Sequence, residues 1–180
     1  MTANFQPHDL RAAGDALPRP HADSYWVVPG RLLAGAHPSP HLPALLAAGI
    51  GSFVDLTQAQ HPPATYTQWL GEKAKWQGFA IVDFGVPEAA LMRRILDTID
   101  ASLAEGSVVY VHCHAGVGRT GTAVGCWLVE QGLAADEALA LIDAKRRVLA
   151  RYSWAPRSPE TDAQHAFVRA WQTRGGPPVT

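Results

Sequence analysis

Within Ser107–Gly132 an apolar stretch, SVVYV, runs straight into a glycine-rich turn, HCHAGVGRTGT, and the turn runs straight into a helically periodic segment, AVGCWLVEQG. A strand that is apolar on both faces needs cover on both, and a helix following it at once must cross back over the sheet. The same alternation recurs along the chain. Tyr25–Val28 and Arg31–Ala34 flank Pro29-Gly30 and read as a hairpin. Ser39-Pro40 starts a helix with Leu42, Leu45 and Leu46 on one face and Gly49 as its stop. SFVDL (52–56) is a candidate strand, and Tyr66, Trp69, Leu70 and Trp76 suggest a helix ending at Gly78, followed by a strand over Phe79–Val82. From Glu88 to Leu103 the set Leu91, Met92, Ile95, Leu96, Ile99 and Leu103 follows the helical period. Val108–Val111 is the most hydrophobic strand, and Thr120–Gln131 is the helix after it, with Trp127 and Leu128 turned to the core. Further helices are expected over Asp136–Arg147 and from Ser158-Pro159 through Trp171.

Strands separated by helices imply crossover connections. The expected fold is therefore a single α/β domain, with a mostly parallel twisted sheet of about four or five strands and helices on both faces. At 180 residues one domain is the simplest organisation. Residues 1–22, polar and proline-interrupted, read as an irregular arm. Residues 23–174 read as the domain, and GGPPVT at 175–180 as a flexible tail. Ligands of such sheets bind at the carboxyl ends of strands, and Val111 is such an end.

Charge narrows the function. A net charge of −1 argues against a general binder of nucleic acid or anionic membrane. The first twenty residues lack the apolar core of a signal peptide, and no run approaches the ~18 apolar residues of a bilayer span. Two cysteines make no disulfide framework. A reducing cytoplasm and a monomer are expected.

In the turn, Gly116, Gly118 and Gly121 let the backbone approach a ligand closely. Successive N–H groups from His114 through Ala115, Gly116, Val117 and Gly118 to Arg119 form an anion nest, to which the following helix adds its positive end. Phosphate fits such a site, and the Arg119 guanidinium can fork onto two of its oxygens. Cys113 begins the loop in the same positive field, which favours thiolate over thiol. A thiolate beneath a bound phosphate can attack phosphorus in line. Thr120 can donate a hydrogen bond to the sulfur as it leaves, and His112 supports the loop rather than acting as a base.

H-C-x-x-G-x-x-R-T-G resembles the signature of the cysteine-dependent protein-tyrosine and dual-specificity phosphatases, matched by His112, Cys113, Gly116, Arg119, Thr120 and Gly121. The resemblance extends over roughly residues 25–172, and YWVVPGRLLAG is similar to the leading segment of compact microbial members. It implies an acid about thirty residues before the cysteine, often as D-x-x-V-P. IVDFGVP puts Asp83 there, able to protonate the leaving oxygen and then to activate water. It also implies a late glutamine that positions the water, a role that Gln164 resembles on the face shared with Phe167, Val168 and Trp171.

The implied function is phosphomonoester hydrolysis through a cysteinyl-phosphate, on phosphotyrosine and also phosphoserine or phosphothreonine in proteins, with no cofactor and no metal. Lysines common in the loops of inositide-directed relatives are absent here. A phosphoinositide or small phosphometabolite substrate is the alternative within the family. A phosphate-binding module that no longer turns over, and a rhodanese-like sulfurtransferase, are the rivals outside it. Blander readings apply elsewhere. Cys126 reads as core packing, Asp55 occupies a strand end comparable to that of Asp83, and Arg146, Arg147 and Arg151 read as a solvated helix end able to flank the pocket.

Overall fold

The computed structural model describes residues 5–58, 66–72 and 74–173. Their order is α1 (Pro7–Arg11), β1 (Ser24–Val28), β2 (Leu32–Gly35), a 3-10 turn (Ser39–His41), α2 (Leu42–Ala47), β3 (Ile50–Asp55), β4 (Lys75–Gly78), α3 (Ala89–Ala104), β5 (Val108–His112), α4 (Gly118–Glu130), α5 (Ala135–Arg146) and α6 (Asp162–Ala170). The five strands form one sheet in the order β1-β2-β5-β3-β4. Only the β1–β2 hairpin is antiparallel, and β5 lies parallel between β2 and β3.

Both faces of the central strands are buried, which is why they read as continuous apolar runs. Val109 and Val111 of β5 point into the larger core with Trp127, Leu128 and Ile95, while Tyr110 points into the smaller one with Phe53, Tyr66 and Leu45. The period-2 alternation thus sorts each strand's side chains between two helical layers. α4 is buried along nearly its whole length. It is tied to α3 by the Trp127 indole N–H donating to Asp100 at 2.9 Å. Cys126 is fully buried, and burial pushes its thiol pKa up, so it stays protonated and unreactive.

Four expectations are corrected. The helix expected to end at Gly78 is a 3-10 turn over Thr67–Trp69, and the following strand is Lys75–Gly78 rather than Phe79–Val82. β4 is an exposed edge strand that pairs only with β3, so no alternation of burial marked it. Phe79 and Ile81, just past β4, are buried in the larger core, and the chain there still bonds the end of β3, Phe79 N–H donating to Asp55 O at 2.7 Å and Ile81 N–H to Leu56 O at 3.3 Å. The arm expected to be irregular contains α1, with Leu10 buried, and its Ala12 carbonyl accepts from the buried Lys145 ammonium. The last helix begins not at Ser158-Pro159, a cis pair, but four residues on, where Thr161 caps it. Residues 175–180 lie outside the described residues.

Candidate active site

β5 ends at His112, and residues 113–117 turn into the buried N-terminus of α4. Five carbonyls between Cys113 and Gly118 are held by side chains or by the His37 amide. The His112 imidazole Nδ1–H donates to Cys113 O at 3.2 Å, and the His37 amide to His114 O at 2.9 Å. Arg151 Nη1 donates to Ala115 O at 2.9 Å, Ser158 Oγ to Val117 O at 2.7 Å and Thr122 Oγ1 to Gly118 O at 2.9 Å. A planar trans peptide points its N–H opposite its C=O. Pinning these carbonyls outward therefore aims the N–H groups of His114, Ala115, Gly116, Gly118 and Arg119 inward. The Gly116 amide indeed lies 3.3 Å from Cys113 Sγ.

Two glycines make this turn possible. Gly116 has φ +72°, and a Cβ there would sit 2.3 Å from the Gly35 carbonyl carbon at the end of β2. A Cβ on Gly121 would sit 2.2 Å from Ser158 Oγ, the donor to Val117.

Arg119 is buried beneath the turn, with Nη1 donating to Ile81 O at 3.2 Å and Nη2 bonding Asp83 Oδ1 at 2.8 Å. Asp83 itself is largely exposed. The loop departing β4 thus brings carboxylate and guanidinium together, as the sequence places them. Asp55, the comparable strand-end acid, is buried and spent on the Thr57 amide and hydroxyl and on the Trp76 indole. Thr120 Oγ1 is buried without a protein partner, leaving its O–H available.

Gln164 is drawn in differently from its expected role. Its carbonyl oxygen accepts from the Glu160 and Thr161 amides at 2.9 and 3.1 Å, and its Nε2 donates to Gly85 O at 3.0 Å. Thr161 Oγ1 reaches Phe84 O at 3.4 Å. α6 therefore docks the loop that carries Asp83, and Phe84 there takes a left-handed φ of 58° with its ring exposed.

Asp23, Ser158 and Tyr66 carried no local signal as site residues, and of the basic run one arginine is solvated, one is buried and Arg151 flanks the loop. Arg146 is fully buried on the carbonyls of Ala155 and Pro156. Arg151 is forked onto both oxygens of Asp23, at 2.7 and 2.6 Å. Only Arg147 matches a solvated helix end. Among the described residues, no group of three or more His, Cys, Asp or Glu is arranged to hold a metal ion. No described helix is long and apolar enough to cross a membrane.

A family model described as Swiss Army Knife protein, DSP-PTPase phosphatase domain, matches residues 21–168. The chain belongs to the dual-specificity and protein-tyrosine phosphatase superfamily. Tk-PTP, solved in its active form, superposes with a TM-score of 0.66 at 26% identity, covering 77% of this chain and 89% of that one. The mouse protein tyrosine phosphatase domain-containing protein 1 is 36% identical over 92 residues, 51% of this chain but 11% of its own length. The human dual specificity protein phosphatase CDC14C is 29% identical over 132 residues, 61% of this chain and 27% of its own. The phosphatase domain here thus spans a small part of these curated relatives.

Burial sets the charge state of His112 at the root of the loop. It pushes the His112 pKa from 6.5 to about 4, against the opposing pull of Asp55. The neutral ring donates from Nδ1 and accepts the Tyr66 hydroxyl at Nε2, 2.7 Å away. His21 is lowered to about 4 as well, chiefly by burial. The unfolded chain binds these protons at higher pH than the folded one. Stability is therefore full above about pH 6.5 and falls as pH drops toward 4, by roughly 2–3 kcal/mol from His112. Urea unfolding of wild type and His112→Gln between pH 7 and 4 measures this. The variant is expected to lose part of the slope, and an identical slope would remove His112 from the account.

Proposed function

We propose that residues 23–174 form a phosphomonoester hydrolase that works through a cysteinyl-phosphate, of the dual-specificity type, with phosphotyrosine and aryl phosphates first among its substrates. The observation that carries this reading is the set of outward-pinned carbonyls around Cys113, which leaves inward amides and a buried guanidinium to receive a phosphate dianion.

In this reading the phosphate takes Arg119 Nη2 from Asp83, whose carboxyl then faces the leaving group. Cys113 Sγ attacks phosphorus as the P–O bond breaks, and Asp83 gives its proton to the departing oxygen. In the second half, Asp83 takes a proton from water, the water oxygen bonds phosphorus, and the sulfur leaves with the Thr120 hydroxyl as its donor. A pure phosphate-binding module needs neither the thiol nor the acid, so the presence of Cys113 and Asp83 together supports turnover.

The test is hydrolysis of 4-nitrophenyl phosphate with reductant and without added metal, for wild type and Asp83→Asn. Loss of a general acid is expected to lower kcat about 10²-fold and to flatten one limb of the pH profile. Because Asp83 competes for Arg119, the same variant is expected to bind inorganic phosphate more tightly than wild type. An inert wild type that still binds phosphate makes the protein a binder. An unaltered kcat in Asp83→Asn removes Asp83 from the chemistry.

A further inference from the structure

Beside the mouth of the anion loop lies a groove of about 580 Å³, walled on one side by His114 and Ala115 of that loop and by Arg151. Its far wall is Pro40 and His41 from the 3-10 turn, and Trp154 stands at its rim, 68% exposed. The mechanism uses the His114 and Ala115 amides on its near wall and assigns nothing to His41 or Trp154. We propose that this groove is a subsite for a second anionic group, a phosphate or carboxylate, carried by a small substrate next to its scissile phosphate.

The proposal rests on the phosphatase reading of the same site but replaces its phosphotyrosine preference with small, doubly anionic phosphomonoesters. Its warrant is the chemistry of the walls. Three imidazoles, those of His37, His41 and His114, meet an arginine, and no carboxylate is among the described residues lining the groove. The acids bonded to lining residues are already committed. Both oxygens of Asp23 grip Arg151 at 2.6 and 2.7 Å, and Asp55 serves Thr57 and Trp76. A guanidinium that gives one N–H to Ala115 O and two to Asp23 keeps two N–H groups for another acceptor.

His41 is held for such a contact. Its ring stacks on that of His21, with centroids 4.2 Å apart and planes 5° from parallel. His21 is fixed in turn, accepting the Asp23 amide at Nδ1 and donating from Nε2 to the Tyr110 hydroxyl at 3.0 Å. An imidazole braced this way spends little conformational entropy on binding an anion. The apolar share of the wall, Ala36, Pro40 and Trp154, gives a seat for the body of a small ligand, and a volume of about 580 Å³ is ordinary for such a site.

The experiment measures competitive inhibition of 4-nitrophenyl phosphate hydrolysis by a hexose monophosphate, a hexose bisphosphate and a phosphorylated sugar acid. Wild type, His41→Asn and Trp154→Ala are compared. Wild type is expected to bind at least one doubly anionic probe about tenfold or more tightly than the monophosphate, the gain of one charge-assisted contact. His41→Asn is expected to bring that ratio below about threefold, while kcat/KM for 4-nitrophenyl phosphate shifts less than about twofold. Equal inhibition by all three probes in wild type overturns the subsite, as does a ratio that survives His41→Asn. Preference for a phosphotyrosine peptide flanked by glutamates, without preference for either small dianion, also overturns it. If wild type fails to hydrolyse 4-nitrophenyl phosphate, the phosphatase reading falls separately, and calorimetry with the same probes still decides the subsite.

Discussion

Replacing Cys113 with serine is expected to abolish turnover of 4-nitrophenyl phosphate, by about 10⁴-fold or more, while phosphate binding survives. The reason lies in what surrounds the sulfur. Cys113 is 2% exposed at the floor of a loop whose amides converge on it, with the Gly116 N–H at 3.3 Å. That field stabilises negative charge at the floor of the loop. A serine hydroxyl has a far higher pKa, so the same field leaves it neutral and a poor nucleophile. The amides and Arg119, which hold the phosphate, are unaltered. Calorimetric titration with inorganic phosphate or vanadate is expected to give a wild-type-like affinity in the dead variant. Rapid-quench mass spectrometry of wild type is expected to catch a phosphate adduct on the Cys113 peptide. Substantial activity in Cys113→Ser would move the nucleophile elsewhere.

Arg119→Lys is the second large effect, with kcat/KM expected to fall about 10³-fold, some 4 kcal/mol of transition-state stabilisation. The guanidinium reaches in two directions at once, Nη1 to Ile81 O at 3.2 Å and Nη2 to Asp83 at 2.8 Å. An ammonium is a single point charge and cannot both brace the acid loop and fork onto two phosphate oxygens. Both kcat and KM are therefore expected to suffer, kcat more. If only KM moves, Arg119 binds ground state and transition state alike, and its proposed role in stabilising the transition state fails.

The fold and the reactive loop were readable in the sequence because their signals are local. Val108–Val111, the glycines of the turn and the period of α4 lie within twenty-five or so residues of one another. Asp83 needed the resemblance, since nothing in its neighbours separates it from Asp55. The structure separates them by burial and partners. β4 was missed because an exposed edge strand of Lys75, Trp76, Gln77 and Gly78 has no alternation, while the apolar signal beside it comes from Phe79 and Ile81, which enter the larger core just past its end. Arg151 and Asp23 were invisible as a pair, since 128 residues separate them. Gln164 was visible as a polar residue on an apolar stripe, but that pattern says only that it has a partner. The partner proved to be the acid loop.

The brackets that hold the anion loop come from His37, Ser158 and the Asp23–Arg151 fork as well as from His112 at its own root. These positions span most of the chain, so the loop attains its shape only after segments remote in sequence have docked. Such long-range closures are the late, slow events of folding. A nascent or half-folded chain thus lacks the converging amides around Cys113, and the anion loop arrives together with the finished tertiary structure. The shape of that one loop is a report that folding is complete.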